Sequence, residues 1–166
     1  MLSVSIWTFL FSPSGRVSRA AFIVFSLVEF AASAMAILID RLSGLTNTVW
    51  DTGPAEGLVL LGSAWPSVAV SIKRFHDLGQ SGLWLLFCAA LVVAGSVIAM
   101  ADESADDFTE DLIFWSGIGC FALFLGLFLW LLLKRGNPGP NRFGEDPLAR
   151  VRTRIDNDVM GDGTSA

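Results

Sequence analysis

Three short motifs carry most of the residue types in this chain that could do chemistry. They are Gly15-Arg16-x-x-Arg19, Lys73-Arg74-Phe75-His76-Asp77 and Gly139-x-Asn141-Arg142-Phe143-Gly144-x-Asp146-Pro147. Arginine side chains suit phosphate and carboxylate groups, and a Gly-Pro-Asn segment can direct backbone amides at an anion. The motifs therefore predict a site for an anionic lipid headgroup or for an acidic segment of a partner. Its predicted residues are Arg16, Arg19, Lys73, Arg74, His76, Asp77, Asn141 and Arg142.

The same residues also have a structural interpretation, in which the bases set the membrane topology and the last motif packs against loops. His76 and Asp77 suggest a third hypothesis, an enzyme acting on a lipid headgroup. Adjacent residues on a helix point about 100° apart, so adjacency does not make them a catalytic pair. His76 is the single histidine, which excludes a multi-histidine metal site within one chain. We expect either residue to bond loop amides, Arg16 or Arg19, and we predict no catalytic residue, metal or cofactor.

One carboxylate, Glu29, lies in the middle of an apolar run. A charge at the bilayer centre costs roughly 2.5–3.5 kcal/mol on insertion scales, so Glu29 should face other helices. One interpretation is a hydrogen bond to a serine of the next run, Ser63 or Ser67, which would hold two helices together. The alternative is a proton or cation relay in a small transporter or channel component.

Four apolar runs position these residues, at about 20–39, 57–72, 83–101 and 112–133. Hydrophobic residues make up 53% of the chain and charged residues 16%, whereas soluble domains carry about 25% charged residues. A run of about 20 apolar residues is long enough to cross a bilayer as a helix. The pattern predicts an all-α integral membrane four-helix bundle with short loops.

The charges between the runs alternate in sign. Ten of the eleven Lys and Arg fall before the first run, between the second and third, or after the fourth. Arg41 is the exception, and acidic residues fill the gaps at 40–56 and 102–111. Because Lys and Arg are retained on the cytoplasmic side, both termini should be cytoplasmic. The bases are few and close to the membrane, so we predict no nucleic-acid partner.

The remaining segments complete the predicted organisation. Residues 1–147 should form one four-span membrane domain, whose stretch 136–147 is an irregular cytoplasmic motif rich in Gly and Pro. Residues 148–166 should be a flexible cytoplasmic tail. The apolar stretch within 1–11 has no preceding base and no cleavage site, so we interpret it as an interfacial segment and not as a signal peptide.

Together the three motifs resemble the small bacterial inner-membrane proteins of domain-of-unknown-function family 805, over about Phe9 to Pro147. The family pattern has an acidic residue and a Trp around the aromatic after the second Arg, whereas Ala21 and Ile23 flank Phe22 here. The resemblance implies a multi-pass protein of the bacterial inner membrane and adds little about activity.

The preferred prediction is a non-enzymatic scaffold or regulatory protein whose cytoplasmic face binds anionic lipid headgroups or a protein partner. Its partners would be the lipid bilayer and its anionic lipids, with a second protein or a second copy of the chain as the other candidates. The alternative prediction is the small transporter or channel component that uses Glu29.

Overall fold

The regular structure of the chain is helical throughout the residues that the structure describes. The computed structural model describes residues 5–46, 51–100, 107–149, 151 and 153. Its helices are α1 (Ile6–Phe11), α2 (Arg19–Leu42), α3 (Pro54–Asp77), α4 (Leu83–Met100) and α5 (Asp107–Leu133). The predicted all-α class is confirmed.

Three helices in the described part of the chain are long and apolar enough to cross a membrane: α2, α3 and the Phe114–Leu133 part of α5. Helix α2 has 24 residues. At 1.5 Å per residue it is about 36 Å long, which exceeds the ~30 Å hydrocarbon thickness of a bilayer. Helix α4 coincides with the third predicted run, 83–101, but a bundle of four spanning helices stays a prediction.

Helix α3 is longer than the predicted span 57–72. It begins at Pro54, where the fixed φ of proline suits the first helical position, and it continues through Asp77. Gly79 follows with φ of 73°, the left-handed conformation expected of a residue that ends a helix. The motif Lys73–Asp77 therefore forms the last turn of α3, and its side chains are held at fixed helical angles.

Asp40 joins the end of α2 to the start of α3. The predicted loop beginning at Asp40 is wrong, because α2 continues to Leu42 and Asp40 is only 1% exposed. Its two carboxylate oxygens accept hydrogen bonds from the amides of Ala55 at 3.0 Å and Glu56 at 2.9 Å. A negative charge here complements the unsatisfied N–H groups at the start of α3. Gly53 leaves room for it, since a Cβ there would overlap the carboxylate.

The opposite end of the molecule, where α2 begins and α3 and α5 end, is called the basic end. Its core comprises Val17, Phe22, Val70, Phe75, Leu78 and Leu131. Helix α1 packs along α3 beside this core. The indole N–H of Trp65 donates to the carbonyl of Phe11 at 2.9 Å, and Lys73 Nζ donates to the carbonyl of Thr8 at 2.8 Å. The interfacial segment predicted near the N-terminus is thus a short helix docked on α3.

Two predicted features fall largely outside the described residues. The acidic loop includes Asp102, Glu103 and Asp106, which are not described. Of the predicted tail 148–166, the structure describes Leu148, Ala149, Val151 and Thr153.

The cap between α2 and α3 can be tested by substitution. Asp40→Ala should lower the free energy of unfolding by about 1–3 kcal/mol, because two amides at the start of α3 lose a charged acceptor. Thermal unfolding of the purified protein in detergent measures the change. Arg41→Ala, which removes the exposed neighbour, is the control. Equal losses for the two variants would contradict a capping role.

Candidate functional site

The carboxylate of Asp77 is the centre of the basic end. Its side chain is 4% exposed and lies at the last residue of α3. Oδ1 accepts hydrogen bonds from Arg16 Nε at 3.2 Å and Nη2 at 3.0 Å. Oδ2 accepts a hydrogen bond from Arg74 Nη1 at 2.5 Å. The buried carboxyl group therefore lies between two guanidinium groups, which keep their protons in proteins. The predicted contact of Asp77 with Arg16 is confirmed.

Arg74 also binds the end of α5. Its side chain is fully buried, with 0% exposed. Nε donates to the carbonyl of Leu131 at 2.9 Å, and Nη2 donates to the carbonyl of Lys134. The last carbonyls of a helix have no partner within the helix and carry a partial negative charge. Arg74 is therefore a capping residue of α5 as well as an ion-pair partner of Asp77.

Arg16 holds the irregular segment that follows α5. Its Nη1 donates to the carbonyl of Gly139 and its Nη2 to that of Asn137, both at 2.6 Å. The amide of Asn137 in turn donates to the carbonyl of Asp77 at 2.9 Å. Gly136 is required for this approach, because a Cβ at that position would overlap the Asp77 carboxylate. The predicted motif 136–147 is thereby fixed against the end of α3.

His76 belongs to a second set of contacts beside the ion pairs. Its ring stacks on Phe143, with centroids 3.9 Å apart and planes 5° apart. The guanidinium carbon of Arg142 lies 4.6 Å from the centroid of the same Phe143 ring. His76 Nδ1 lies 3.1 Å from the carbonyl oxygen of Gly15 and must donate to it, since a carbonyl only accepts. Asn141 Nδ2 donates to the His76 carbonyl at 2.9 Å.

These contacts give His76 and Asp77 separate partners. The ring of His76 meets Phe143 and Gly15, whereas the carboxylate of Asp77 meets Arg16 and Arg74. The two side chains bond loop groups and Arg16, which was the expected structural role. His76 therefore contacts Gly15 and Phe143, whereas Asp77 holds Arg16 and, through it, the segment 136–147.

Lys73 is buried and contacts α1. Its Nζ donates to the carbonyls of Thr8 at 2.8 Å and Phe9 at 2.5 Å, and it lies 5.4 Å from the centroid of the Phe9 ring. These partners differ from those of Arg16 and Arg74, although the sequence grouped all three bases in one site. Lys73 is thus part of the attachment of α1 to α3.

Among the described residues of the basic end, four other bases are exposed: Arg19, Lys134, Arg135 and Arg142. The structure separates them from Arg16, Lys73 and Arg74, whose donors already have acceptors within the chain. The four exposed side chains are accessible to an external anion, and some also have contacts within the chain. Arg19 Nη1 donates to the carbonyl of Leu133 at 3.4 Å, and Lys134 Nζ lies 4.6 Å from the centroid of the Trp130 ring. Lys134 and Arg135 were missing from the predicted site, although their position directly after the fourth apolar run was a signal for them. Ligand binding by any predicted site residue stays a prediction.

Glu29 contacts α3 as expected. Its Oε2 accepts a hydrogen bond from Ser67 Oγ at 3.1 Å. The pair borders a mainly apolar cleft of about 550 Å³ between α2, α3 and α5. The predicted polar contact with a serine of the second run is confirmed, and the side chain is available to whatever occupies the cleft.

Comparison with known proteins is consistent with the motifs. The sequence model of the family described as protein of unknown function (DUF805) matches residues 10–145. Uncharacterized protein YiiR of Escherichia coli strain K12 is 30% identical over 159 residues, which cover 93% of this chain and 97% of YiiR. Inner membrane protein YhaI of the same strain is 27% identical over 134 residues, 81% of this chain and 84% of YhaI. No solved structure matches the chain significantly.

The ion pairs at Asp77 should dominate the stability of the basic end. Asp77→Ala leaves two buried guanidinium groups without their carboxylate, which should cost about 3–5 kcal/mol. Limited proteolysis within 136–147 and thermal unfolding in detergent measure the loss. Glu145→Ala, an exposed carboxylate in the same segment, is the matched control. If Asp77→Ala and Glu145→Ala were cleaved equally slowly, the ion pairs of Asp77 would not be the contacts that hold segment 136–147 in place.

Proposed function

This chain belongs to the DUF805 family, and from that premise we propose that it is a non-enzymatic inner-membrane protein whose basic end binds anionic lipid headgroups. Three apolar helices and a relative named as an inner membrane protein support the location. The positive-inside rule supports a cytoplasmic basic end with both termini on that side. In this role the protein is a small scaffold or regulatory component of the membrane.

The observation that carries the proposal is the set of exposed bases. Arg19, Lys134, Arg135 and Arg142 lie exposed at one end, and Arg41 lies exposed near the other end of α2. The cytoplasmic leaflet carries anionic lipids, and each base near its surface adds about 1 kcal/mol of attraction. Their exposure leaves these four side chains accessible to lipid phosphates.

The contacts of His76 and Asp77 support a binding role over catalysis. His76 and Asp77, the residues of the enzyme hypothesis, both hold loop segments in place. General acid–base catalysis requires a side chain within hydrogen-bond reach of a reacting group. An acidic segment of a partner protein could meet the same exposed bases, but a lipid surface is always present beside them.

Anionic lipid should be enriched around the purified protein. Extraction into nanodiscs directly from membranes, followed by lipid mass spectrometry, should show more anionic lipid than the source membrane contains. Replacing Arg19, Lys134, Arg135 and Arg142 together with Gln should abolish the enrichment, because about 1 kcal/mol per base is lost.

The control for that experiment is Arg41→Gln, which removes one base from the opposite end of α2 and should leave the enrichment unchanged. Unaltered enrichment in the fourfold variant would refute headgroup binding by these bases. Loss of a co-purifying acidic protein, with lipid unchanged, would instead assign the basic end to a protein partner.

A second candidate, transport, is favoured by one observation: Glu29 borders a cleft of about 550 Å³. A carboxylate inside a bilayer can relay protons or cations. If the protein conducts, proteoliposomes loaded with a pH-sensitive dye should show a proton flux that Glu29→Gln abolishes and Ser33→Ala preserves. Equal flux through wild-type, Glu29→Gln and protein-free vesicles would reject this candidate.

A further inference from the structure

We infer that α2 and α5 form a site for one anionic phospholipid, with its phosphate between Arg19 and Arg135 and an acyl chain in the cleft between the helices. The inference rests on the proposed function and gives it a specific ligand and place. It follows from the relative positions of a basic cavity and an apolar cleft.

The basic cavity has a volume of about 240 Å³. Two guanidinium-bearing residues line it, Arg19 from the first turn of α2 and Arg135 from the residues after α5. Arginine can bind phosphate through two parallel hydrogen bonds. Two such side chains lining one cavity therefore suit a phosphodiester.

Two carboxylates also line this cavity, and both have donors of their own. Asp77 is paired with Arg16 and Arg74. Asp146 accepts hydrogen bonds from the amides of Gly139 at 3.1 Å and Leu148 at 2.9 Å. Together with Arg16 and Arg74, which pair with Asp77, four guanidinium groups lie at or beside the cavity against two carboxylates, so an incoming group meets a net positive charge.

The apolar cleft lies on the face of α2 that carries Arg19. Phe22 lines the cleft three residues after Arg19, and residues three apart are neighbours on one face of a helix. Leu131 lines the cleft near the end of α5, and Arg135 follows shortly after α5 ends at Leu133. Along α2, the cleft therefore begins about one turn, ~5 Å, from Arg19. A phospholipid has the same order of groups, with a charged phosphate followed by a hydrocarbon chain.

The side of the cleft formed by α5 is apolar. It consists of Phe124, Leu127, Phe128 and Leu131. The polar residues of the cleft lie on α2 and α3, where Ser67 donates to Glu29 and Ser26 donates to the carbonyl of Phe22. Because the polar groups lie on α2 and α3, a hydrocarbon chain can lie against the apolar α5 side of the cleft.

The length of the acyl chain and the charge of the headgroup distinguish the proposed lipid from other ligands. Inorganic phosphate fits the basic cavity but leaves the cleft empty. Phosphatidylcholine fits the cleft with its acyl chains, but its headgroup has no net negative charge for the two arginines to attract. Native mass spectrometry of the detergent-purified full chain should therefore detect one dioleoyl-phosphatidylglycerol per chain. Dihexanoyl-phosphatidylglycerol, dioleoyl-phosphatidylcholine and inorganic phosphate should each bind at least about tenfold more weakly.

Two variants test the two halves of the site. Arg19→Gln with Arg135→Gln should weaken dioleoyl-phosphatidylglycerol binding roughly tenfold or more, because two charges are lost. Leu127→Trp fills the cleft and should weaken it similarly. Leu129→Trp, on an exposed face of α5 outside the cleft, and Arg41→Gln are the matched controls. Thermal unfolding in detergent establishes that each variant is folded.

Equal binding of the long-chain and short-chain lipids to the wild-type protein would overturn the inference even if Leu127→Trp failed to fold. A change from dimer to monomer on filling the cleft would also overturn it, by assigning the cleft to a second copy. If both variants bound lipid normally while the fourfold Gln variant lost its enrichment, the specific site would fall and the proposed function would stand.

Discussion

The carboxylate of Asp77, buried between Arg16 and Arg74, holds together segments that are far apart in the chain. Arg16 precedes α2, Arg74 and Asp77 end α3, and both guanidinium groups reach carbonyls at or after the end of α5. Transferring such charges out of water is costly, so the arrangement persists because each charge has an opposite partner and each donor an acceptor. This network gives the irregular segment 136–147 one position on the molecule.

The network also divides the bases into two classes. An arginine has five N–H donors, and those of Arg16 and Arg74 are directed at a carboxylate and at backbone carbonyls within the protein. Arg19 and Arg135, by contrast, are exposed beside the same segment. The buried motif residues Arg16, Arg74 and Asp77 therefore hold the fold together. The exposed bases are Arg19 and Arg142 of the same motifs, with Lys134 and Arg135 beside them.

Two polar contacts join α2 to α3 away from the basic end. Glu29 accepts from Ser67 within the apolar region, and Asp40 accepts from the first amides of α3 at the far end. Lipid tails are as apolar as leucine side chains, so burial of hydrocarbon does little to drive helices together in a membrane. Hydrogen bonds at several depths fix the relative position of the two helices and leave the cleft on the side of α5 open to other occupants.

The sequence by itself determined the all-α class and the end of the molecule at which the three motifs meet, because apolar run length and charge alternation are local properties of the chain. The residues of the three motifs, by their resemblance, indicated the family. The sequence also predicted that Glu29 bonds a serine of the next apolar run, which is Ser67. It placed Asp40 in a loop and grouped Lys73 with Arg16 and Arg74, and both expectations changed once the helices were packed. Tertiary structure alone decided which bases are buried, since the partners of Arg16 lie 61 and 123 residues away and their distances are set by helix packing.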